Sequence, residues 1–544
     1  MINHYPLSAK IGIVFICLLL IGMNNLLSQN ISNDLYSSKW PNAVTYEIFV
    51  QSFADSNGDG IGDLNGIRAK LGYLQDLGIK GIWLMPINPS PSYHKYDVTD
   101  YYGIHEDYGT VADFKLLVKE AQEKDIAIVI DLVINHCSAE HPWFQKALVP
   151  TSDFRDFFIW QDQVTIEKEN SLEKNKTGDS DNIKQWNALP NQDELYYSFF
   201  WSGMPDLNYD NPKVREEIYK IGRYWLEEMD VDGFRLDAAK HIYPDDRAED
   251  NHAFWKEFRS EMQKFKPDVY LIGEVWDDLP TQTPYAAGFS SLFNFDLAFS
   301  ILETVKRKKN VVATILEDSW TVDESGSLIA LIKESHEAFL KRNPAFINGT
   351  FLSNHDQNRV FSFLNESQPQ AKLAAAILLT IPGSPYLYYG EELGMAGMKP
   401  DPNIREPMIW SNTNNTYSAT WMEPKYALTK RLKGVEEQLQ DSNSMLNHYK
   451  SLIQLRNMSK ALSIGTIAEF SANEQDEQLL MYYRTYEDEQ LTIIHNLSGK
   501  IKSLPLKYRD QTIIWMSRLN DSNKKLNLPP YSTVIFKNPK TKNE

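Results

Sequence analysis

The chain has 544 residues, of which 42% are hydrophobic, 24% charged and 12% aromatic, and it contains no internal repeat or long low-complexity tract. That is the balance of a globular protein with room for one large domain and smaller ones. A formal net charge of −18 repels polyanions on average, which argues against a nucleic-acid partner.

In chain order, the first feature is "MINHYPLSAKIGIVFICLLLIGMNNLLSQN". Lys10 precedes an apolar run from Ile11 to Gly22, followed by polar residues and the small Ser28. The run is short for a membrane span and fits a signal peptide over residues 1–28, with an uncleaved anchor as the alternative. An exported protein, periplasmic or secreted, is expected, with no membrane span in the mature chain. Cys17 lies in this run behind the bulky Val14, Phe15 and Ile16, which argues against lipidation. Cleavage leaves Cys137 as the only cysteine, so no internal disulfide is expected.

Strand-like and helix-like stretches then alternate. "AVTYEIFVQSF", "GIKGIWLMPI", "DIAIVIDLVINH", "GFRLDAA", "VYLIGEVW", "SLFNFDL", "GTFLSNHD" and "SPYLYYGEE" are mostly continuous apolar runs, as in parallel strands covered on both faces. Between them, Val214, Ile218, Ile221, Trp225 and Met229 recur at helical spacing behind Pro212. Eight such units predict an α/β protein, a (β/α)8 TIM barrel. A doubly wound open sheet is the runner-up, weakened by the lack of a Gly-rich dinucleotide fingerprint. The interval 137–203 is too long for a simple connection and reads as a small inserted domain. The barrel is assigned to 36–136 and 204–462. Alternating segments over 463–544, among them "LLMYYRTYE" and "QLTIIHNLS", predict a C-terminal antiparallel β-sandwich domain.

Functional residues of a parallel barrel gather at the C-terminal ends of its strands. Polar residues stand out there: Asn135 and His136, Arg235 and Asp237, Glu274, and His355 and Asp356. Singly, each is more often a turn, cap or satisfied structural residue. Together they place three carboxylates and two histidines at one mouth. A zinc or manganese site is one use of such a set. Arg235, two residues from Asp237 and therefore on the same strand face, opposes a cation and favours an ionised carboxylate. Retaining glycoside hydrolysis needs that arrangement: one ionised carboxylate as nucleophile and one protonated as acid. The charge of Asp237 and partial burial would keep Glu274 protonated.

With these residues the chain resembles the α-amylase family, glycoside hydrolase family 13. "DLVINH", "GFRLDAAKH", "GEVW" and "FLSNHD" are similar to its four main signature regions, and "MPDLN", "GIWLMPI" and "GSPYLYYGEELGM" to additional ones. Within the family the resemblance is to α-amylases of the group intermediate between oligo-1,6-glucosidases and neopullulanases. It implies that Asp237 is the nucleophile, Glu274 the general acid/base and Asp356 the third carboxylate, which stabilises the transition state. It implies that Arg235, His136 and His355 hold the sugar, that Tyr96 stacks beneath it and that Asp97 binds its hydroxyls. Lys240 and His241 match residues on the leaving-group side of α-amylases. Arg405, in "REPMIW", resembles a residue that closes the cleft of exo-glucosidases, here paired with Asp97.

The stretch "DSNGDGIGD" places Asp55, Asn57, Asp59 and Asp63 at alternating positions, and with the Ile61 carbonyl these oxygens can wrap a hard cation. Gly66 stands where an EF-hand has its bidentate Glu, and a plain Asx-rich turn is the alternative. The resemblance makes Ca2+ the expected cofactor here. It also matches Asn135 and His241 to ligands of an interdomain calcium site, but Asn208 replaces an aspartate there. The expected function is retaining cleavage of internal α-1,4-glucosidic bonds in starch, maltodextrins or related α-glucans by a monomer. Exo-acting α-glucosidase or oligo-1,6-glucosidase activity is an alternative, and a non-catalytic α-glucan-binding protein is an alternative of another class.

Overall fold

The computed structural model describes residues 36–168, 184–190, 192–316, 319–428, 431–470, 476–508, 511–517 and 527–539. The signal-peptide assignment lies outside these residues.

Eight parallel strands follow the eight apolar runs: β1 (Thr45–Ile48), β2 (Gly81–Leu84), β3 (Ala127–Leu132), β4 (Gly233–Leu236), β5 (Tyr270–Gly273), β6 (Ser291–Leu292), β7 (Gly349–Thr350) and β8 (Ser384–Tyr388). Their order is β7-β8-β1-β2-β3-β4-β5-β6, and a parallel bridge between Phe293 and Gly349 closes the ring. The chain is a TIM barrel, and the open-sheet alternative fails on that closure. Strand burial is complete but for Ala127 at the start of β3, because helices cover the outside while side chains such as Trp83 and Tyr386 fill the inside. The helix Pro212–Glu227 shows why the period works. Asn211 caps it, Pro212 occupies its first turn, and Val214, Ile218, Ile221 and Trp225 are buried against the barrel. Gly233 opens β4 because a Cβ there would lie 1.9 Å from the Tyr270 carbonyl oxygen.

The strands are shorter than their apolar runs. β4 ends one residue before Asp237, and β7 ends five residues before His355. The functional residues therefore stand on the loops leaving the strands, aimed by the strands beneath them. After β3, segments Trp160–Asp162, Trp186–Ala188 and Glu194–Tyr197 form a three-stranded antiparallel sheet. A hairpin of Val312–Leu316 and Ser319–Asp323, unexpected from the sequence, packs on the helix Phe295–Arg307.

The C-terminal region forms a five-stranded antiparallel sheet. Alternation along its strands gives it two apolar faces. Tyr482, Leu491, Ile493 and Ile535 join the main core. Ile494, Val534 and Phe536 pack outward with Phe470, Leu504, Tyr508 and Leu528, the last from a ladder of Lys502–Ser503 with Asn527–Leu528. Among the described residues no helix is long and apolar enough to cross a membrane.

Candidate active site

At the C-terminal mouth of the barrel lies an open cavity of about 280 Å³, walled in part by Tyr96, His136, Asp237, Glu274, Asp356 and Arg405. Arg235 lies behind the cavity wall, in contact with Asp237 and Glu274, and is fully buried. Its Nη1 donates to Asp131 at 2.9 and 3.0 Å and to Asp237 at 2.6 Å, while Nη2 pairs with Glu274 at 2.7 Å. One guanidinium thus clamps three carboxyl groups from three neighbouring strands. β4 supplies the clamp because Gly233 lets it approach β5 closely.

Burial raises Glu274, Arg235 pulls it down and Asp237 raises it again, leaving it at about 7. Asp131, wholly enclosed, also rises to about 7 through burial, against the pull of Arg235. Ala238 follows Asp237 in a left-handed conformation (φ 47°), and its N–H donates to Glu274 Oε2 at 3.2 Å. A non-glycine residue in that region carries strain, here used to turn a backbone donor onto the acid.

A second cluster sits opposite. His355 Nε2 lies 2.9 Å from Asp356 Oδ2 and 2.6 Å from the Tyr96 hydroxyl, and its Nδ1 lies 2.6 Å from Glu47 Oε1. The Tyr96 and His355 rings stack, tilted by 13°. Burial alone would lower His355, but Asp356 and Glu47 push it up to about 10. Against burial, His355 and Arg405 hold the Asp356 carboxyl well below the usual carboxylate range.

His136 is buried, its Nδ1 facing the Asn135 side-chain oxygen at 3.0 Å, and burial pulls it below its ordinary value. Its Nε2 has no hydrogen-bond partner among the described residues, and the residue lines the cavity. Lys240 reaches the Trp276 carbonyl and Asp277, both at 3.2 Å. His241 stacks on Phe199 with centroids 3.9 Å apart.

One expected pair does not form. Arg405 donates to Asp356 at 2.9 Å, Asp401 at 3.1 Å and the His355 carbonyl at 3.0 Å. Asp97 is 2% exposed, accepts from the Ser90 and Ser92 hydroxyls and does not line the cavity. The physical reason is local: the two serines satisfy Asp97 within its own loop, and Arg405 finds carboxylates nearer its own backbone.

Sequence reasoning passed over Glu47 and Asp131, each the single charge in an apolar strand run, the same signal that singled out Arg235. It also passed over His94, Phe200, Trp201, Met204, Trp276, Lys399 and Asp401, which complete the cavity wall. Trp201 is 48% exposed, and its ring lies over Gly203, where a Cβ would meet it at 2.3 Å.

In the Asp55–Asp63 loop, Asp55 accepts from the N–H groups of Asn57, Gly58 and Gly60, and Asp59 accepts from Ile61. Asp63 caps the following helix through Gly66 and also accepts from Ser56. The donor set is all oxygen and suits a hard cation. Among the described residues, no cluster of three or more His, Cys, Asp or Glu is arranged to hold a metal. At the interdomain position the Asn135 amide donates to the His241 carbonyl, and Asn208 donates to the Asp156 carbonyl at 3.1 Å.

Residues 47–465 match the family model for the alpha amylase catalytic domain, and residues 479–535 match that of the alpha-amylase SusG C-terminal domain. The chain is 43% identical over 509 residues to Alpha-amylase 3 of Dictyoglomus thermophilum, covering 93% of this chain and 95% of that relative. It is 30% identical to an oligo-1,6-glucosidase of Parageobacillus thermoglucosidasius, covering 92% of this chain and 98% of the relative. The crystal structure of an alpha-amylase from H. orenii superposes with a TM-score of 0.80 at 37% identity, covering 93% of this chain and 100% of that one. With this barrel, this mouth and these matches, the chain belongs to the α-amylase family and is an α-amylase-type glycoside hydrolase.

Proposed function

We propose that the protein is a retaining hydrolase of internal α-1,4-glucosidic bonds in starch, maltodextrins or related α-glucans. The observation that carries the chemistry is the Arg235 clamp, with Asp237 and Glu274 on the two terminal nitrogens of one guanidinium. This suits the short separation of a retaining pair, about 5 Å, rather than the roughly 6.5–9.5 Å of an inverting one. In the first step Asp237 attacks the anomeric carbon while Glu274 protonates the departing glycosidic oxygen. In the second, Glu274 takes a proton from the water that attacks the glycosyl–Asp237 ester, and the free enzyme returns. Asp356, kept ionised between His355 and Arg405, accepts hydrogen bonds from sugar hydroxyls. Tyr96 offers a flat face beneath the ring, and His136 Nε2 offers a further polar contact.

Internal cleavage is supported by the missing closure. Arg405 is held by Asp356 and Asp401 and Asp97 by its serines, so no Arg405–Asp97 bridge blocks one end of the cleft. The relatives bearing the names alpha-amylase and oligo-1,6-glucosidase span both outcomes, so the products decide. On soluble starch, an early mixture of maltooligosaccharides is expected, with the α anomer first in proton NMR. Glucose alone from the start would refute internal cleavage. Asp237→Asn should lower hydrolysis by ~10⁴-fold or more while maltoheptaose still binds. Full activity in that variant would refute the nucleophile assignment.

We also propose Ca2+ on the oxygens of Asp55, Asn57, Asp59, Ile61 and Asp63, where it would brace the loop ahead of the helix Leu64–Leu77. Chelation should lower the Tm of the parent and calcium should restore it, and Asp55→Ala should lose that response; a parent whose Tm ignores chelation, or an Asp55→Ala variant that responds as the parent does, removes the site. Export with cleavage near Ser28 is supported by the apolar run behind Lys10, and N-terminal sequencing of the mature protein tests it.

A further inference from the structure

The hydrolytic reading leaves Glu47, a buried carboxylate beneath the mouth, unused. Glu47 lies on β1, is 1% exposed and projects beneath His355. Its Oε1 faces His355 Nδ1 at 2.6 Å and the His355 backbone N–H at 3.4 Å. The groups around the ring can be taken element by element. From the loop after β2, the Tyr96 hydroxyl donates to Asp131 Oδ2 at 3.1 Å, so its oxygen is left to accept from His355 Nε2. From the chain of His355 itself, Asp356 Oδ2 faces Nε2 at 2.9 Å. β2 contributes only the edge of Trp83, with ring centroids 5.6 Å apart. Arg405 donates its Nε–H to the His355 carbonyl and does not face the ring. Asp131 and Glu274 act on the ring only through space, each pulled down by the charge of His355. Every polar partner of the imidazole is thus an acceptor, and two are carboxylates on opposite nitrogens.

We propose that Glu47 is a positioning residue: its carboxylate keeps both ring nitrogens of His355 protonated, so that the Nε2–H stays on Asp356 and holds that carboxylate ionised and oriented toward the sugar. The chain of contacts runs Glu47–His355–Asp356, from the barrel interior to the cavity wall. A neutral His355 whose Nδ1–H stayed on Glu47 would turn an Nε2 lone pair toward Asp356 Oδ2 and push it from its place. The raised pKa of His355 agrees with this arrangement, burial being outweighed by Asp356 and Glu47. Glu47 acts through His355, beyond contact with the substrate.

The test is Glu47→Gln, which keeps a side-chain oxygen for Nδ1–H but removes the charge. His355 then loses its second proton at lower pH. Relative to the parent enzyme on maltoheptaose, kcat/KM at pH 7 should fall on the order of tenfold, and the deficit should close as pH is lowered toward 5. Glu47→Asp, which retains the charge, should restore part of the loss at pH 7. A deficit of the same size at every pH would show a merely structural role and overturn the proposal, as would no deficit at all. Should the Gln variant fail to fold, ¹⁵N NMR of the histidines in the parent protein decides. The resonance that disappears in His355→Gln should show two protonated nitrogens at pH 8, and a neutral ring at pH 8 overturns the proposal. The rate readout rests on the hydrolase reading. A parent enzyme inert on maltoheptaose would sink that reading, while the NMR result would still settle the proton on His355.

Discussion

Two sets of fully buried arginines use the same side chain for opposite ends. Arg235, at the mouth of the barrel, is surrounded by Asp131, Asp237 and Glu274, and these carboxylates outweigh burial and raise its pKa further. Arg456 and Arg484, where the C-terminal sheet meets the barrel, face main-chain carbonyls instead. Arg456 donates to Leu379 and Ile381, and Arg484 to Thr380 and Gly465. Burial pulls Arg456 down to about 10 and carries Arg484 well below its ordinary value, and the two cations repel each other. A carbonyl cage ties the guanidinium to the main chain without neutralising the charge, even with Arg456 Nε left unpartnered among the described residues, so it serves as a geometric tie. A carboxylate cage neutralises the charge, and its arginine opposes the rise that burial forces on Asp131 and Glu274, so it serves chemistry.

Among these arginines, Arg235 is where a substitution has the largest expected effect. Arg235→Met removes the clamp and leaves Asp131 buried without its counter-ion. We expect kcat/KM to fall by ~10³-fold, with a loss of about 3–5 kcal/mol in stability, read by kinetics on maltoheptaose and by urea unfolding. Activity within tenfold of the parent would show that the clamp is not what positions Asp237 and tunes Glu274. Arg484→Met should cost about 2–4 kcal/mol of stability through the stranded carbonyls. Its kcat should stay unchanged well below the melting temperature, and a parallel loss of kcat would join the two regions that the comparison separates. The smallest effect sharpens the difference by pH. Glu274, held at about 7, must be protonated to act as acid, so kcat/KM should decline as pH rises through 7, by about tenfold per unit. A flat profile to pH 9 would contradict the proposed role.

Much of the site was legible as charge out of place. Arg235, Asp237 and Glu274 interrupt or end apolar strand runs, and a buried charge needs a partner. Glu47 and Asp131 carry the same signal in β1 and β3, but neither has an opposite charge two residues away on its own strand, as Arg235 has in Asp237, and their partners come from other strands or the loops leaving them. The partner of Arg405 was not legible. Asp97 and Asp401 are equally available in one dimension, and only the loop that lets Ser90 and Ser92 close on Asp97 removes it from contention. Trp201 and Trp276 gave no periodic signal, since each stands on an irregular loop whose course is set by what it crosses.

By itself the sequence determined the alternation of strands and helices and the set of ionisable groups delivered to one mouth. Periodicity and burial are local statements about which residues avoid water, and they survive without coordinates. The tertiary structure decided which carboxylate meets which cation, and hence which proton stays on Glu274 and which on His355. Those outcomes depend on distances of a few ångströms between strands far apart in the chain, where burial and Coulombic pairing compete and neither is written in any single segment.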